Sequence, residues 1–219
     1  MIRFEDIKND PSIRTYIKKA DESLRALGYT EHSFAHVTKV SENAAYILQA
    51  LGYSERECEL AKIAAFLHDI GNLVNRVEHS QSGAIMAFRI LYNMDMNAEE
   101  LSQIVTAIGN HDEGTGVAVN AISAALILAD KSDVRRSRVR NTDFTTFDIH
   151  DRVNYSVESS ELSINDDKTE IVLRLKIDTS ISAVMDYFEI FIGRMKMCRN
   201  AAKTLGLRFR LYINEQNLL

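Results

Sequence analysis

Histidines and acidic residues stand at the ends of several apolar segments of this chain, where their side chains could bind a metal ion. His68 and Asp69 directly follow an apolar stretch, and Asp130 closes the most apolar stretch, 121–129. The helix dipole disfavours a carboxylate at a helix C-terminus, and a neighbouring cation reverses that penalty. Neutral histidine is the commonest metal-ligating side chain. The pair His68–Asp69 therefore predicts half of a metal site, and Asp130 is either a partnered carboxylate or a ligand.

Four further histidines lie at or near the ends of predicted helices. His32 and His36 are spaced i, i+4, so they share one face if the helix extends back to His32. His79 lies immediately before a predicted helix, and His111 immediately after another. Any one of these histidines, taken alone, is more typical of a surface or structural position than of a ligand. The prediction of a metal site therefore depends on the set as a whole.

The elements that must position these residues are mostly helices. Segment 54–69 has apolar residues at i, i+3, i+4 and i+7, and Ser54 with Glu57 forms a capping box at its start. Gly71 predicts its end, in the left-handed conformation that glycine readily takes after a helix. The same reasoning predicts six helices, at 12–27, 33–51, 54–69, from Ser80 or Ser82 to Tyr92, 98–110 and 120–133.

The pattern changes after about residue 141. Helical spacing predicts a short helix at 149–157 and a long amphipathic helix at 181–205. Alternation predicts a two-stranded hairpin, 162–164 with 171–177, between these helices, and a last strand at 207–213. The fold class is therefore expected to be mainly α. A helical domain over 1–141 precedes a small α+β appendage over 142–219, whose elements follow the order β-β-α-β.

Composition excludes some function classes. The formal net charge of −5 argues against a protein that binds a nucleic-acid duplex or a membrane surface, since both usually require a basic excess. Residues 1–10 lack the features of a signal peptide, and no apolar run is long enough to span a membrane. Cys58 and Cys198 are expected to be reduced thiols. We expect a soluble, cytoplasmic protein.

Six residues together resemble a known signature, in the order His36, His68, Asp69, His79, His111 and Asp130. The set resembles the H…HD…D signature of the HD-domain superfamily of metal-dependent phosphohydrolases. Its other two histidines resemble those that distinguish the dinuclear branch of that superfamily. The resemblance covers about residues 30–140, including the segment 128–133, and it implies an HD-domain helical bundle.

The resemblance also implies a cofactor and a reaction. One divalent transition-metal ion would bind His36, His68, Asp69 and Asp130, and Asp69 would bridge to a second ion held by His79 and His111. Two cations about 4 Å apart activate water and neutralise phosphate oxygens. Ligands without thiolates admit Fe, Mn, Zn, Ni or Co. The implied activity is hydrolysis of a phosphate ester or anhydride by metal-activated hydroxide, with a nucleotide as the expected small phosphorylated substrate.

His32 is the candidate general acid. The segment from His32 to His36 resembles the HNxxH motif of cyclic-nucleotide phosphodiesterases, although Ser33 stands at the position of the asparagine. In that motif the first histidine protonates the leaving oxygen, and a histidine whose pKa is near neutrality suits this role. The alternative is an ordinary exposed histidine before a helix.

The phosphate is expected to bind to basic residues near the ligands. Many relatives have a lysine directly after the HD glycine, where this chain has Asn72. Lys131, directly after Asp130, is therefore the favoured phosphate-binding cation and a catalytic candidate, and three arginines are further candidates: Arg76, Arg135 and Arg136. Two other arginines are interpreted as cations near a helix C-terminus: Arg138 and Arg140. Asp112 and Asp133 either orient metal-bound imidazoles or are solvated.

Two other functions compete with hydrolysis. Some HD-fold proteins with a similar ligand set use an iron pair with oxygen, which makes a di-iron oxidative enzyme one alternative. A metal- and nucleotide-binding sensor without turnover is the other. The appendage carries no chemical motif, and its exposed strand edges suggest either a homodimer interface or a lid over the helical domain.

Overall fold

The computed structural model describes all 219 residues of the chain, and its first part is entirely helical. Seven helices follow one another: α1 (Phe4–Asn9), α2 (Pro11–Ala26), α3 (Phe34–Leu51), α4 (Glu55–Leu67), α5 (His79–Asn93), α6 (Ala98–Gly109) and α7 (Ala121–Ser132). All six helices predicted from the sequence are present, and α1 is the additional one. No helix combines the length and the apolar composition that crossing a membrane requires.

The second part is a small sheet with two helices. It contains α8 (Ile149–Ser156), β1 (Val157–Ile164), β2 (Glu170–Ile177), α9 (Val184–Thr204), β3 (Arg208–Ile213) and β4 (Gln216–Asn217). The strands lie in sequence order: β1 and β2 form the predicted antiparallel hairpin, and β3 pairs in parallel with β2 after the crossover through α9. The mainly α fold with a C-terminal β-β-α-β unit is confirmed, with β4 as a short extra strand.

Polar side chains set where most of the helices begin. The hydroxyl of Ser54 accepts a hydrogen bond from the amide of Glu57, and the carboxylate of Glu57 accepts one from the amide of Ser54. The predicted capping box is therefore present. Other side chains accept amides in the first turns of α2, α3, α6 and α7, namely those of Asp10, Ser33, Asn97 and Asn120.

The apolar core contains 50 buried residues and is continuous across the boundary predicted at residue 141. Helix α7 is buried over 122–129, and it packs against α3, α4, α6 and α9. Met195 and Cys198 of α9 belong to this core, and both cysteines of the chain are free thiols. Because the two parts share one core, their division into 1–141 and 142–219 stays a prediction.

We predicted that Gly71 ends a helix in the left-handed conformation, and the structure shows that it does not. Helix α4 ends at Leu67, and a 3-10 turn (Ile70–Leu73) follows, in which Gly71 has an ordinary negative φ. A Cβ atom at Gly71 would lie 2.0 Å from the carbonyl oxygen of His79 and 2.4 Å from the amide nitrogen of Gly83. Glycine is therefore needed here because the backbone of α5 approaches the turn closely.

Helix α5 also begins differently from the prediction. It starts at His79 itself, after Glu78 in the left-handed conformation with φ 59°, and neither Ser80 nor Ser82 is its N-cap. His79 and Ser80 are buried in its first turn, whereas Ile85 and Tyr92 are exposed. The start was mispredicted because a left-handed Glu has no local sequence signal comparable to glycine.

The close approach at Gly71 predicts a difference between two glycine substitutions. Gly71→Ala forces the backbones of α5 and the 3-10 turn apart, and we expect it to lower the free energy of unfolding by about 1–3 kcal/mol. Gly193→Ala is the matched control, because nothing lies within 4 Å of a Cβ at this position of α9. It should raise stability by about 0.5–1 kcal/mol. Denaturant unfolding measures both, and equal effects would contradict the steric account.

Candidate metal centre

Four histidines meet at the ends of α4 and α6 and at the starts of α3 and α5, and each is fixed through its Nδ1 atom. In every case Nδ1 lies within hydrogen-bond distance of an oxygen: Asp133 Oδ2 for His36 (2.8 Å), Ala65 O for His68 (2.7 Å), Arg76 O for His79 (3.1 Å) and Ile108 O for His111 (2.6 Å). Carbonyl and carboxylate oxygens only accept, so each Nδ1 carries the proton. Each Nε2 is therefore the nitrogen that faces the centre, where it can bind a metal ion in its unprotonated form.

The carboxylate of Asp69 lies between these histidines. Its Oδ2 is 3.1 Å from Nε2 of His68 and 3.6 Å from Nε2 of His36. Its Oδ1 is 3.5 Å from Nε2 of His79 and 3.9 Å from Nε2 of His111. Each oxygen thus faces a different pair of imidazoles.

Asn72 and Asp130 complete the surroundings of this carboxylate. The Nδ2 group of Asn72 donates to both the backbone oxygen and Oδ1 of Asp69, each at 2.9 Å. Oδ1 of Asp130 lies 3.3 Å from Nε2 of His36 and 3.7 Å from Nε2 of His68. Two overlapping groups of possible ligand atoms result, each within 4.8 Å: His36, His68 and Asp130, and His68, Asp69 and His111.

These residues fit a metal ion. The Nε2 atoms of His36 and His68 are buried and make no hydrogen bond. The Nε2 atoms of His79 and His111 lie 3.1 Å apart, although both rings donate through Nδ1. Two lone pairs at this distance repel each other unless a proton or a cation lies beside them; Nη1 of Arg76 lies 3.3 Å from Nε2 of His79, and a bound metal ion would place positive charge next to both nitrogens. Histidine and carboxylate ligands without thiolates suit Fe, Mn, Zn, Ni or Co.

The charges of the site favour cations. Burial opposes ionisation of Asp69, but His68 and the other nearby histidines hold the pKa of its carboxyl well below the usual range. Burial also opposes protonation of His68, yet Asp69 and Asp130 raise the pKa of this imidazole to about 10. The pKa of His111 is lowered to about 3 by burial and by the charge of His68. The ionised carboxylates of Asp69 and Asp130 therefore stabilise positive charge in the centre, which His68 carries in the free protein.

Asp133 fixes the His36 ring from outside the ligand group. Its side chain is fully buried, and besides His36 it contacts Lys39 at 3.1 Å and Arg135 at 3.0 Å. Asp112, the other acid proposed to orient a ligand, is 31% exposed and lies 3.9 Å from Nε2 of His79. The structure therefore supports an orienting role for Asp133 far more strongly than for Asp112.

A small pocket opens beside the carboxylates, and no hydrophobic residue lines it. Besides the ligand candidates, its lining consists of His32, Arg76, Lys131, Arg138 and Arg194. Burial disfavours a charged lysine, but Asp130 and Glu113 raise the pKa of Lys131, so this residue is a cation. Arg76 and Lys131 thus line the same pocket, and their contact to phosphate stays a prediction.

Two predicted phosphate ligands lie elsewhere. Arg135 forms ion pairs with Glu31 and Asp133. Arg136 donates to the backbone oxygen of Tyr155 and stacks on its ring at 4.6 Å. Neither arginine lines the pocket, so the structure corrects the prediction that they bind phosphate. Arg135 instead connects Glu31 to the end of α7, and Arg136 contacts Tyr155 of α8.

Two pocket arginines were missed by the sequence analysis. Arg138, interpreted as a helix-end cation, is buried and donates to the backbone oxygens of Glu31 and Asp133. Arg194 belongs to α9 in the appendage, far from the other site residues in sequence. Its position three residues after the buried Phe191 was the available signal, because that spacing places a cation at the edge of an apolar stripe.

A family model described as HD domain matches residues 33–139, a segment that contains all six ligand candidates. Residues 33–139 therefore form a domain of the HD-domain superfamily. The matched segment includes the pair His68–Asp69, from which the sequence analysis began. An uncharacterized protein of Methanocaldococcus jannaschii is 27% identical over an alignment 214 residues long, and the match covers 87% of this chain and 80% of the relative.

A solved structure is also similar to the chain. It is the crystal structure of a predicted HD superfamily hydrolase from an uncultured Thermotogales bacterium, with 25% sequence identity and a TM-score of 0.42. The match covers 60% of this chain and 73% of that one.

The contact between Asp133 and His36 predicts that metal affinity depends on a residue that is not itself a ligand. Asp133→Asn removes the charge that supports the His36 imidazole, and we expect metal affinity to fall about 10-fold to 100-fold. Competition with a chelator measures this affinity. Asp112→Asn is the control and should leave the affinity nearly unchanged. An equal loss in both variants would refute the special role of Asp133.

Proposed function

We propose that the HD domain is a metal-dependent phosphohydrolase that cleaves an ester or anhydride bond of a small phosphorylated molecule, with nucleotides as the expected class. One observation carries this proposal: the two oxygens of Asp69 face two separate histidine pairs, beside a pocket whose remaining charges are cations. A shared carboxylate suits two ions, and the cations suit a phosphate.

The residues divide into two ligand groups. His36, His68 and Asp130 would hold one ion, His79 and His111 the other, and Asp69 would contribute one oxygen to each. Bound ions of this kind supply activated water and neutralise phosphate oxygens.

Lys131 and Arg76 are suited to bind the phosphate of the substrate. The Nζ atom of Lys131 lies 2.7 Å from Asp130 Oδ2 and 3.4 Å from Glu113 Oε2, so it is held beside the ligand group. Arg76 lies over the ring of Tyr29 at 5.5 Å, and its Nη1 is 3.3 Å from Oδ1 of Asn72. Asn72 donates a hydrogen bond to Asp69, so in this chain it positions a candidate metal ligand. Contact with the phosphate would then come from Lys131 and Arg76.

His32 lies in the pocket, with Nδ1 2.7 Å from the backbone oxygen of Thr30. Nε2 is therefore the nitrogen that can exchange a proton with a substrate. Burial and the nearby charge of Arg138 hold the pKa of His32 well below its usual value, so the free protein carries it as a neutral imidazole. A dianionic phosphate beside it would favour the protonated form, which the proposed general-acid role requires.

The metal centre predicts the effect of removing its shared carboxylate. Wild-type protein purified without a tag should contain about two metal ions per chain and release phosphate from at least one nucleotide of a panel. Asp69→Ala should lose the metal and reduce phosphate release to background, because both ion sites use this side chain. Elemental analysis and a phosphate assay with each metal restored measure the two quantities.

The control for this experiment is Asp166→Ala, in the exposed turn between β1 and β2, which should match wild type. Bound metal without turnover of any phosphorylated compound would contradict hydrolysis. Oxygen consumption by the anaerobically prepared iron form would then identify an oxidative enzyme, and tight nucleotide binding alone would identify a sensor.

The position of His32 predicts an effect that depends on the leaving group. His32→Ala should slow hydrolysis of an alkyl phosphate ester about 100-fold, the usual contribution of a general acid. A nitrophenyl ester, whose leaving group needs no proton, should be affected much less. Unchanged metal content would show that the centre is intact. A uniform loss for both esters would rule out proton donation by His32.

A further inference from the structure

Arg194 enters the pocket from outside the HD domain and is held on two sides. Its Nε atom lies 2.5 Å from Oε1 of Glu113, and its guanidinium group lies over the ring of Phe191 at 4.4 Å. Phe191 is buried in the core, so it forms a fixed support for the guanidinium plane. The two terminal amino groups of Arg194 make no hydrogen bond or ion pair within the protein. A fork of two donors is thus preorganised at the pocket.

The other pocket cations are engaged by the protein. Lys131 contacts the carboxylates of Asp130 and Glu113. Arg138 donates to two backbone oxygens through Nε and Nη1, and Arg76 contacts Asn72. Arg194 is the pocket cation that keeps both terminal amino groups free. Such a fork matches two oxygens of one phosphoryl group.

With two divalent ions bound, the charge of the pocket would exceed what one phosphoryl group needs. Four cationic side chains and two acidic ones line the pocket, and the carboxylate of Glu113 contacts two of these cations, which leaves an excess of one positive charge before any metal is bound. Two divalent ions would raise this excess further and would already neutralise the oxygens of the phosphoryl group at the centre. No apolar side chain lines the pocket. Recognition here therefore relies on charge.

We propose that Arg194 is a substrate-binding residue that the C-terminal appendage contributes to the HD-domain pocket, where it binds a second phosphoryl group of a diphosphate or longer phosphate chain. Glu113 is a positioning residue, because its carboxylate holds Nε of Arg194 and Nζ of Lys131 at once. The inference rests on the proposed function, since it specifies the substrate of the same site.

Direct binding tests this assignment without turnover. The full-length, metal-loaded protein is titrated calorimetrically with methylenediphosphonate, a diphosphate analogue that cannot be hydrolysed, and separately with orthophosphate. Arg194→Ala should weaken diphosphonate binding about 10-fold to 100-fold, as expected for loss of charge-assisted hydrogen bonds, and should change orthophosphate binding much less. Arg194→Lys, which keeps the charge without the fork, should give an intermediate loss.

The matched control is Arg199→Ala, an exposed arginine on the same helix, which should bind both ligands as wild type does. Metal content before and after each titration separates binding from chelation, and thermal unfolding confirms that the variants are folded. Should Arg194→Ala misfold, Arg194→Lys carries the test.

Each other result has a definite meaning. Identical diphosphonate affinity in the Arg194 and Arg199 variants, or no binding by wild type, would overturn the inference. An equal loss for diphosphonate and orthophosphate would refute the second phosphoryl group. The protein could also show the expected losses of diphosphonate affinity and yet hydrolyse no phosphate compound. This result would support the role of Arg194 and refute the proposed reaction.

Discussion

The buried carboxylate of Asp69 lies within 3.9 Å of four imidazole nitrogens, and the surrounding structure holds these five groups in place. An ionised carboxylate in a protein interior costs several kcal/mol unless opposite charges and hydrogen-bond donors compensate for the lost water. Asn72 donates to one oxygen, and protonated His68 lies beside the other. In the metal-loaded protein, bound cations would take over the compensation that this proton provides.

Packing fixes the frame around this charge. The ligand candidates come from five helices, with His68 and Asp69 together after α4, and each is placed near the end of a helix whose interior belongs to the apolar core. Helix α7 is the clearest case, because its buried interior leads directly to Asp130 and Lys131. Helix α9 packs against α7 and brings Arg194 to the same place. The appendage thus shares the core and also reaches the pocket.

Much of this arrangement could be predicted from the sequence, because it depends on residue type and on regular spacing. Apolar periodicity located the helices, and the order of histidines and acids identified the residues that converge around Asp69. The failures concern information that local spacing does not contain. Gly71 was expected to provide a positive φ. In the structure, glycine is required because a side chain at this position would collide with the backbone of α5. Both requirements select glycine, so the residue type alone does not distinguish them.

The arginines after α7 show a second limit. Three arginines are close neighbours in the sequence and equally basic: Arg135, Arg136 and Arg138. Arg138 lines the pocket, whereas Arg135 pairs with Glu31 and Arg136 binds the backbone of Tyr155. Which of them turns inward depends on partners distant in the chain, such as Glu31 and Tyr155. The contribution of Arg194 is more remote still, because it requires knowing how α9 packs on α7.

The glycine contact at residue 71 has a consequence for ion size. Backbone atoms of the turn that follows Asp69 lie against backbone atoms of the first turns of α5, which carries His79. Neither segment can move towards the other, and widening the gap would pull α5 from the core. The distance between Asp69 and His79 is therefore limited by main-chain contact. Metal ions held here would bind imidazole nitrogens and carboxylate oxygens within a space that this contact limits, an arrangement that suits small transition-metal ions better than the large calcium ion, which prefers oxygen ligands.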